Sequence, residues 1–171
     1  MSSPTRLLTL ALVALASSAA GAMDTAATPA TEGRADPPDS AYIQSTLARA
    51  DASMFAGRLR EARGLYRHLI RRLREAEQYE RIALWNLAHC YLVGNDIAGA
   101  AATLDELALA AEKYGDPSLE LLAIFAAAVY YQQLKRAELL APRIARVRAL
   151  LQSPAIPDSE NTDYSRRLVS R

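Results

Sequence analysis

The chain has 171 residues, 51% of them hydrophobic and 23% charged, which is enough apolar material for one domain with a sizeable core and too much for a disordered chain. Lysine and arginine number 20 against 19 acidic residues, and this near balance excludes a general nucleic-acid binder, which needs a basic surface. Alanine and leucine dominate the apolar fraction, β-branched runs are few and alternation is absent, so packed helices are expected and strands are not.

Residues 1–22 have the pattern of a secretory signal. Arg6 gives a sparse positive start, an apolar stretch runs over 7–16, and small residues follow to an Ala20-Gly21-Ala22 cleavage pattern. Cleavage after Ala22 or Ala20 is expected; the competing reading is an uncleaved anchor, which needs about 20 apolar residues and finds them only by counting the Ser and Ala after Ala16. A cleaved signal places the protein in the periplasm or outside the cell, and no second apolar segment is long enough to span a membrane. Removing Arg6 leaves 19 basic residues against 19 acidic ones. Cys90 is the single cysteine, so no internal disulfide can form, and its apolar neighbours suggest a buried small side chain.

Residues 23–39 are rich in Ala, Thr, Pro, Asp and Glu without period, and are expected to be a disordered linker. A helical repeat domain follows over 40–152, with helices expected at 40–56, 58–78, 80–93, 96–114, 117–132 and 135–152. Gly57 marks the first turn and Gly94-Asn95-Asp96 the third. At Tyr114-Gly115-Asp116-Pro117, Gly115 ends one helix, Asp116 caps the next and Pro117 suits its first position. Pro142 falls inside the last helix, where the lost hydrogen bond to Glu138 predicts a kink or break. Residues 153–171, with Pro154, Pro157 and a basic end, read as an unstructured tail.

The helices read in pairs that carry related residues in register. Ala62, Ala100 and Ala137 each follow a branched apolar residue by three places, and stand 38 and 37 residues apart. Twelve positions before them come Ala50, Ala88 and Phe125; four positions after, Tyr66, Leu104 and Ala141. Two helices pack closely only where one sets a small side chain against a bulky one, and a hairpin built so buries one side alone, so neighbours must stack.

This arrangement resembles the tetratricopeptide repeat family over about 42–150. Gly57, Leu59, Ala62 and Tyr66 match the family's second-helix pattern, and Leu84, Leu87, Ala88, Tyr91, Ile97, Ala100 and Leu104 match the next unit. The third unit departs from it at Phe125, Ala128 and Ala141, and the spacing exceeds the usual period of about 34. The resemblance implies an all-α fold of three antiparallel helix hairpins stacked as a short solenoid.

It also implies a ligand-facing surface on the first helix of each pair: Gln44, Leu47, Asp51, Met54 and Phe55; Ile82, Trp85, His89, Leu92 and Val93; then Leu119, Leu122, Ala126, Val129 and Tyr130. That face is a groove for a partner helix or apolar peptide, anchored by Trp85, Phe55 and Tyr130, or else it is core or a self-association surface. On the second helix, Arg60, Arg63, Arg67, Arg71 and Arg74 form a stripe at spacings of 3 and 4, expected on the outer face. It is either a dock for an acidic protein, lipid head groups or polyanions, or a solvated face partly neutralised by Glu61, Glu75 and Glu77.

His68 and His89 are the only histidines and neither lies in a metal or nucleophile pattern; no P-loop, dinucleotide glycine run or serine elbow occurs. No catalysis, cofactor or metal is expected. The expected function is an exported protein–protein interaction scaffold or adaptor of the bacterial cell envelope, with no nucleic-acid partner. The alternative is a structural subunit whose apolar face is used for homo-oligomerisation.

Overall fold

The computed structural model describes residues 36–156. The expected signal, most of the expected linker and the tail beyond 156 lie outside the described residues. Six helices and no strand occur among them: α1 Ser40–Phe55, α2 Leu59–Glu75, α3 Arg81–Val93, α4 Ile97–Lys113, α5 Pro117–Gln133 and α6 Ala137–Leu151. Every boundary falls within three residues of its expected place.

Three helices begin on an aspartate that accepts from a backbone N–H two or three residues inside: Asp39 from Tyr42 at 2.7 Å, Asp96 from Gly99 at 2.8 Å and Asp116 from Leu119 at 3.1 Å. Pro117 takes the first helical position after Asp116, where a missing N–H costs nothing.

All five links are closed in the same way. The second residue past each helix is left-handed: Gly57 (φ 75°), Glu77 (56°), Asn95 (56°), Gly115 (68°) and Lys135 (56°). The residue after it donates back to a carbonyl five positions earlier, as Arg58 does to Ser53 at 2.8 Å and Arg136 to Tyr131 at 2.9 Å. This double closure satisfies the last carbonyls and turns the chain sharply. At the third link the left-handed residue is Asn95, not Gly94. At Gly94 an added Cβ would lie 2.3 Å from the Arg63 guanidinium, so the end of that side chain would have to move.

Each helix packs on its neighbours in sequence, and α1 also touches α3. The alanines in register sit in these contacts: Ala50, Ala62 and Ala100 have no exposed surface and Ala88 has 3%. Tyr66 and Leu104, four positions after two of them, are equally buried. The third unit differs, since Ala137 and Ala141 are exposed and Phe125 is half-buried. No described helix covers the far side of α6, so small residues there have nothing to pack against. Cys90 is buried, its thiol 3.8 Å from the Leu59 carbonyl, and burial pushes its pKa up.

Arginines join the helices at two buried carboxylates. Arg74 of α2 donates to Glu80, at the start of α3, at 2.7 Å and to Glu106 of α4 at 3.0 Å. Arg146 of α6 donates to Glu120 of α5 at 2.7 Å and to Glu112 of α4 at 3.0 Å. Glu80 and Glu120 are nearly inaccessible, so losing either arginine would strand a buried charge. Asp105 of α4 is held from two sides, by Arg143 at 2.7 Å and by the Tyr131 hydroxyl at 2.8 Å, with the guanidinium 4.3 Å from the Tyr131 ring centre.

Two expectations are corrected. Of the kink or break expected at Pro142, the break does not occur: α6 runs on through Pro142, which lies exposed in its second turn. The carbonyl that loses its donor belongs to exposed Glu138, where water can serve it, and the Arg143 side chain donates to the next carbonyl, Leu139. Nor does the chain leave the core at Ser153. A turn closed by Ile156 N–H to Ser153 at 3.2 Å brings Ile156 into the core at 6% exposure. At the other end, the Asp36 carbonyl accepts from Arg72 at 2.8 Å, so the last residues of the expected linker lie against α2.

The left-handed Lys135 carries a Cβ penalty of roughly 1–2 kcal/mol that glycine avoids. Lys135→Gly should therefore raise stability by about 1 kcal/mol in urea unfolding, and Gly57→Ala should lower it by a similar amount.

Candidate functional site

The residues expected to face a ligand are split by the structure into exposed, half-buried and core positions. Phe55 is 82% exposed, Val93 52% and Ile82 49%. Leu47, Trp85, Leu92, Leu122 and Val129 are half-buried, the first three packed against the core on one side. Met54 and Tyr130, expected as contact residues, are core at 5% and 6% exposure, as is Ala126. Phe55 and Val93 hold the same repeat position, 38 residues apart, at the ends of two helices that touch. The α1 and α3 sets thus lie on adjoining helices, which Asp51 and Asn86 join. Helix α5 packs on α4 and α6 and not to a comparable extent on α3, so Leu122 is not joined to that patch directly.

Asp51, also expected on the ligand-facing surface, has a structural role. Its carboxylate accepts from the Tyr66 hydroxyl of α2 and from the Asn86 amide of α3 at 3.3 Å, tying three helices at one point. The phenol of Tyr66 is pushed well above its ordinary range by burial and then by the Asp51 charge. His89, one turn beyond Asn86 on α3, is half-buried; His68 is exposed, lying between the Tyr42 hydroxyl at 2.8 Å and Arg71 at 3.2 Å. Among the described residues no three metal-binding side chains come together, and no helix is long and apolar enough to cross a membrane.

The arginine stripe does not face open solvent along its whole length. Arg63 lies over the Tyr91 ring at 4.3 Å from its centre, half-buried at the seam between α2 and α3, and Arg67 donates to the Tyr91 hydroxyl. Arg74 is committed to Glu80 and Glu106. Its neutralising carboxylates come from the next helices and not from Glu77 or Glu61; the latter pairs with Arg58 at 2.8 Å, which holds its carboxyl below the usual range. Arg60, Arg67 and Arg71 are exposed. Together with α3 and α4, the far half of the stripe walls a cleft of about 390 Å³.

Against this geometry, no protein-family model, curated protein or solved structure matches the chain. The surfaces must be read from their own chemistry.

Sequence reasoning missed the part that Tyr91 and Gly99 play in the cleft. A Cβ on Gly99 would lie 2.6 Å from the Tyr91 ring, so this glycine in the first turn of α4 is what admits the ring. A glycine at a position where helices favour alanine was the available signal.

Burial raises the phenols of Tyr66, Tyr79, Tyr130 and Tyr131, aided by carboxylates at the first two and the last. The folded state then keeps protons that the unfolded chain releases near pH 10, so the stability these tyrosines contribute should be fully present below about pH 10 and be lost as pH rises beyond it. Absorbance titration should show these four ionising only as the helical circular dichroism is lost, whereas in urea all eight tyrosines of the chain should titrate near pH 10.

Proposed function

We propose that the protein is a tetratricopeptide-like stack of three antiparallel helix hairpins that binds another protein or peptide, serving as an exported interaction scaffold and not as an enzyme. Support for the stack comes from five links closed by the same left-handed second residue, from packing of each helix on its neighbours, and from buried alanines at matching positions in the first two pairs. The direction of the first pairing agrees. Tyr42, early in α1, meets His68 late in α2, while the α1 end is joined to the α2 start through the link at Gly57.

Support for binding rests on one observation: Phe55, Ile82 and Val93 are left in water, the latter two on the helix that carries half-buried Trp85 and Leu92. Single exposed apolar residues need no explanation, but here Phe55 and Val93 repeat a position on touching helices. A Phe ring so exposed forgoes roughly 2 kcal/mol of burial that a partner could recover. The signal-like pattern over 1–22 supports export to the cell envelope.

Because Phe55 and Val93 contribute little to the core and each ends a helix, where a cation is tolerated, Phe55→Lys with Val93→Lys should leave helicity and melting unchanged. Affinity capture from an envelope extract with the mature chain should yield partners that the double variant loses. Partners kept in full by a folded double variant would refute the surface. Light scattering over a concentration series tests the same residues for self-association: growth in mass with the wild type alone would make a second copy the partner.

A further inference from the structure

The cleft between α2, α3 and α4 has a different chemistry from the apolar face. Its floor is apolar and buried: Ile70 and Leu87 at 5% exposure, Tyr91 at 8%. Its mouth carries Arg67, Arg71 and Arg74. Arg74 is fully employed by two glutamates, but among the described residues neither Arg67 nor Arg71 has a carboxylate within ion-pair distance.

The partners these two do have orient them without neutralising them. Arg67 donates to the Tyr91 hydroxyl. Arg71 reaches His68 Nδ1 at 3.2 Å, a neighbour that carries no negative charge. Two forks of positive charge therefore stand over an apolar floor. A guanidinium matches a planar carboxylate through paired N–H bonds, and it is worth more beside a low-dielectric surface than in open water. Glu75 and Glu106 also line the cleft, and their charge disfavours a doubly ionised phosphate more than a single carboxylate.

We propose that this cleft binds a small organic acid: one carboxylate held by Arg67 and Arg71, with an apolar body lying on Ile70, Leu87 and Tyr91. A volume of about 390 Å³ suits such a molecule and is too small for a folded segment. Gly99 keeps the α4 wall low and the Tyr91 ring in place. The site is independent of the apolar face, so it stands or falls apart from the scaffold reading.

Phenylacetate is a suitable probe, followed by NMR of the Ile70 and Leu87 methyl groups in the mature chain. Titration should shift these signals saturably, and neutral phenylacetamide should bind at least tenfold more weakly. Phenyl phosphate should bind no more tightly than phenylacetate. Arg71→Gln should weaken phenylacetate at least tenfold with unchanged melting, and Arg67→Gln likewise, while Arg60→Gln, on the same helix but outside the cleft, should have no effect. Absence of saturable shifts, equal affinity for the amide, tighter binding of phenyl phosphate, or an equal loss in Arg60→Gln would each overturn the proposal.

Discussion

The structure depends on the close approach of neighbouring helices at positions where the side chain is no larger than a methyl group. Ala50 and Ala62 on α1 and α2, and Ala88 and Ala100 on α3 and α4, are sealed from solvent. A larger residue would push the helices apart and open the contacts that bury Tyr66, Leu84 and Leu107. The short links, each with a left-handed second residue, hold the helices at the spacing these alanines permit. Local turn geometry and core packing thus require the same arrangement, which is the condition for one well-defined fold.

Polar side chains then fix which helix meets which. Asp51 gathers Tyr66 and Asn86; Asp105 gathers Tyr131 and Arg143; the buried carboxylates of Glu80 and Glu120 each take an arginine that also reaches α4. Helix α4 receives arginines from α2 on one side and α6 on the other, so it is the hub of the charged network. Residues with such duties are not available to a ligand, which is why Asp51 and Arg74 drop out of the candidate surfaces. Exposed apolar side chains remain on α1 and α3, with Leu109 standing apart on α4, and guanidiniums without a carboxylate partner remain on α2.

Much of this architecture was legible in the sequence. Gly115-Asp116-Pro117 marked its helix boundary because each residue has a distinct physical reason to stand there, and the alanine register marked buried contacts in the first two pairs, though not at exposed Ala137. Orientation was less legible. A helical pattern shows that Arg63 and Arg67 share a stripe, but not that Tyr91 of the next helix lies under them. Likewise, Met54 and Tyr130 have the pattern of a face, and only tertiary packing decides that they are core. The covering of Ile156 depends on a turn without a strong local signal, and the continuity of α6 through Pro142 depends on exposure that composition does not encode.

The most direct test of this account is the stability of Ala100→Leu. Ala100 is wholly buried, and added methylenes there should overpack the α3–α4 contact, costing about 1–3 kcal/mol in urea unfolding and lowering the melting temperature with helicity retained. Unfolding indistinguishable from that of the wild-type protein would contradict the claim that close helix approach at small residues holds the stack together.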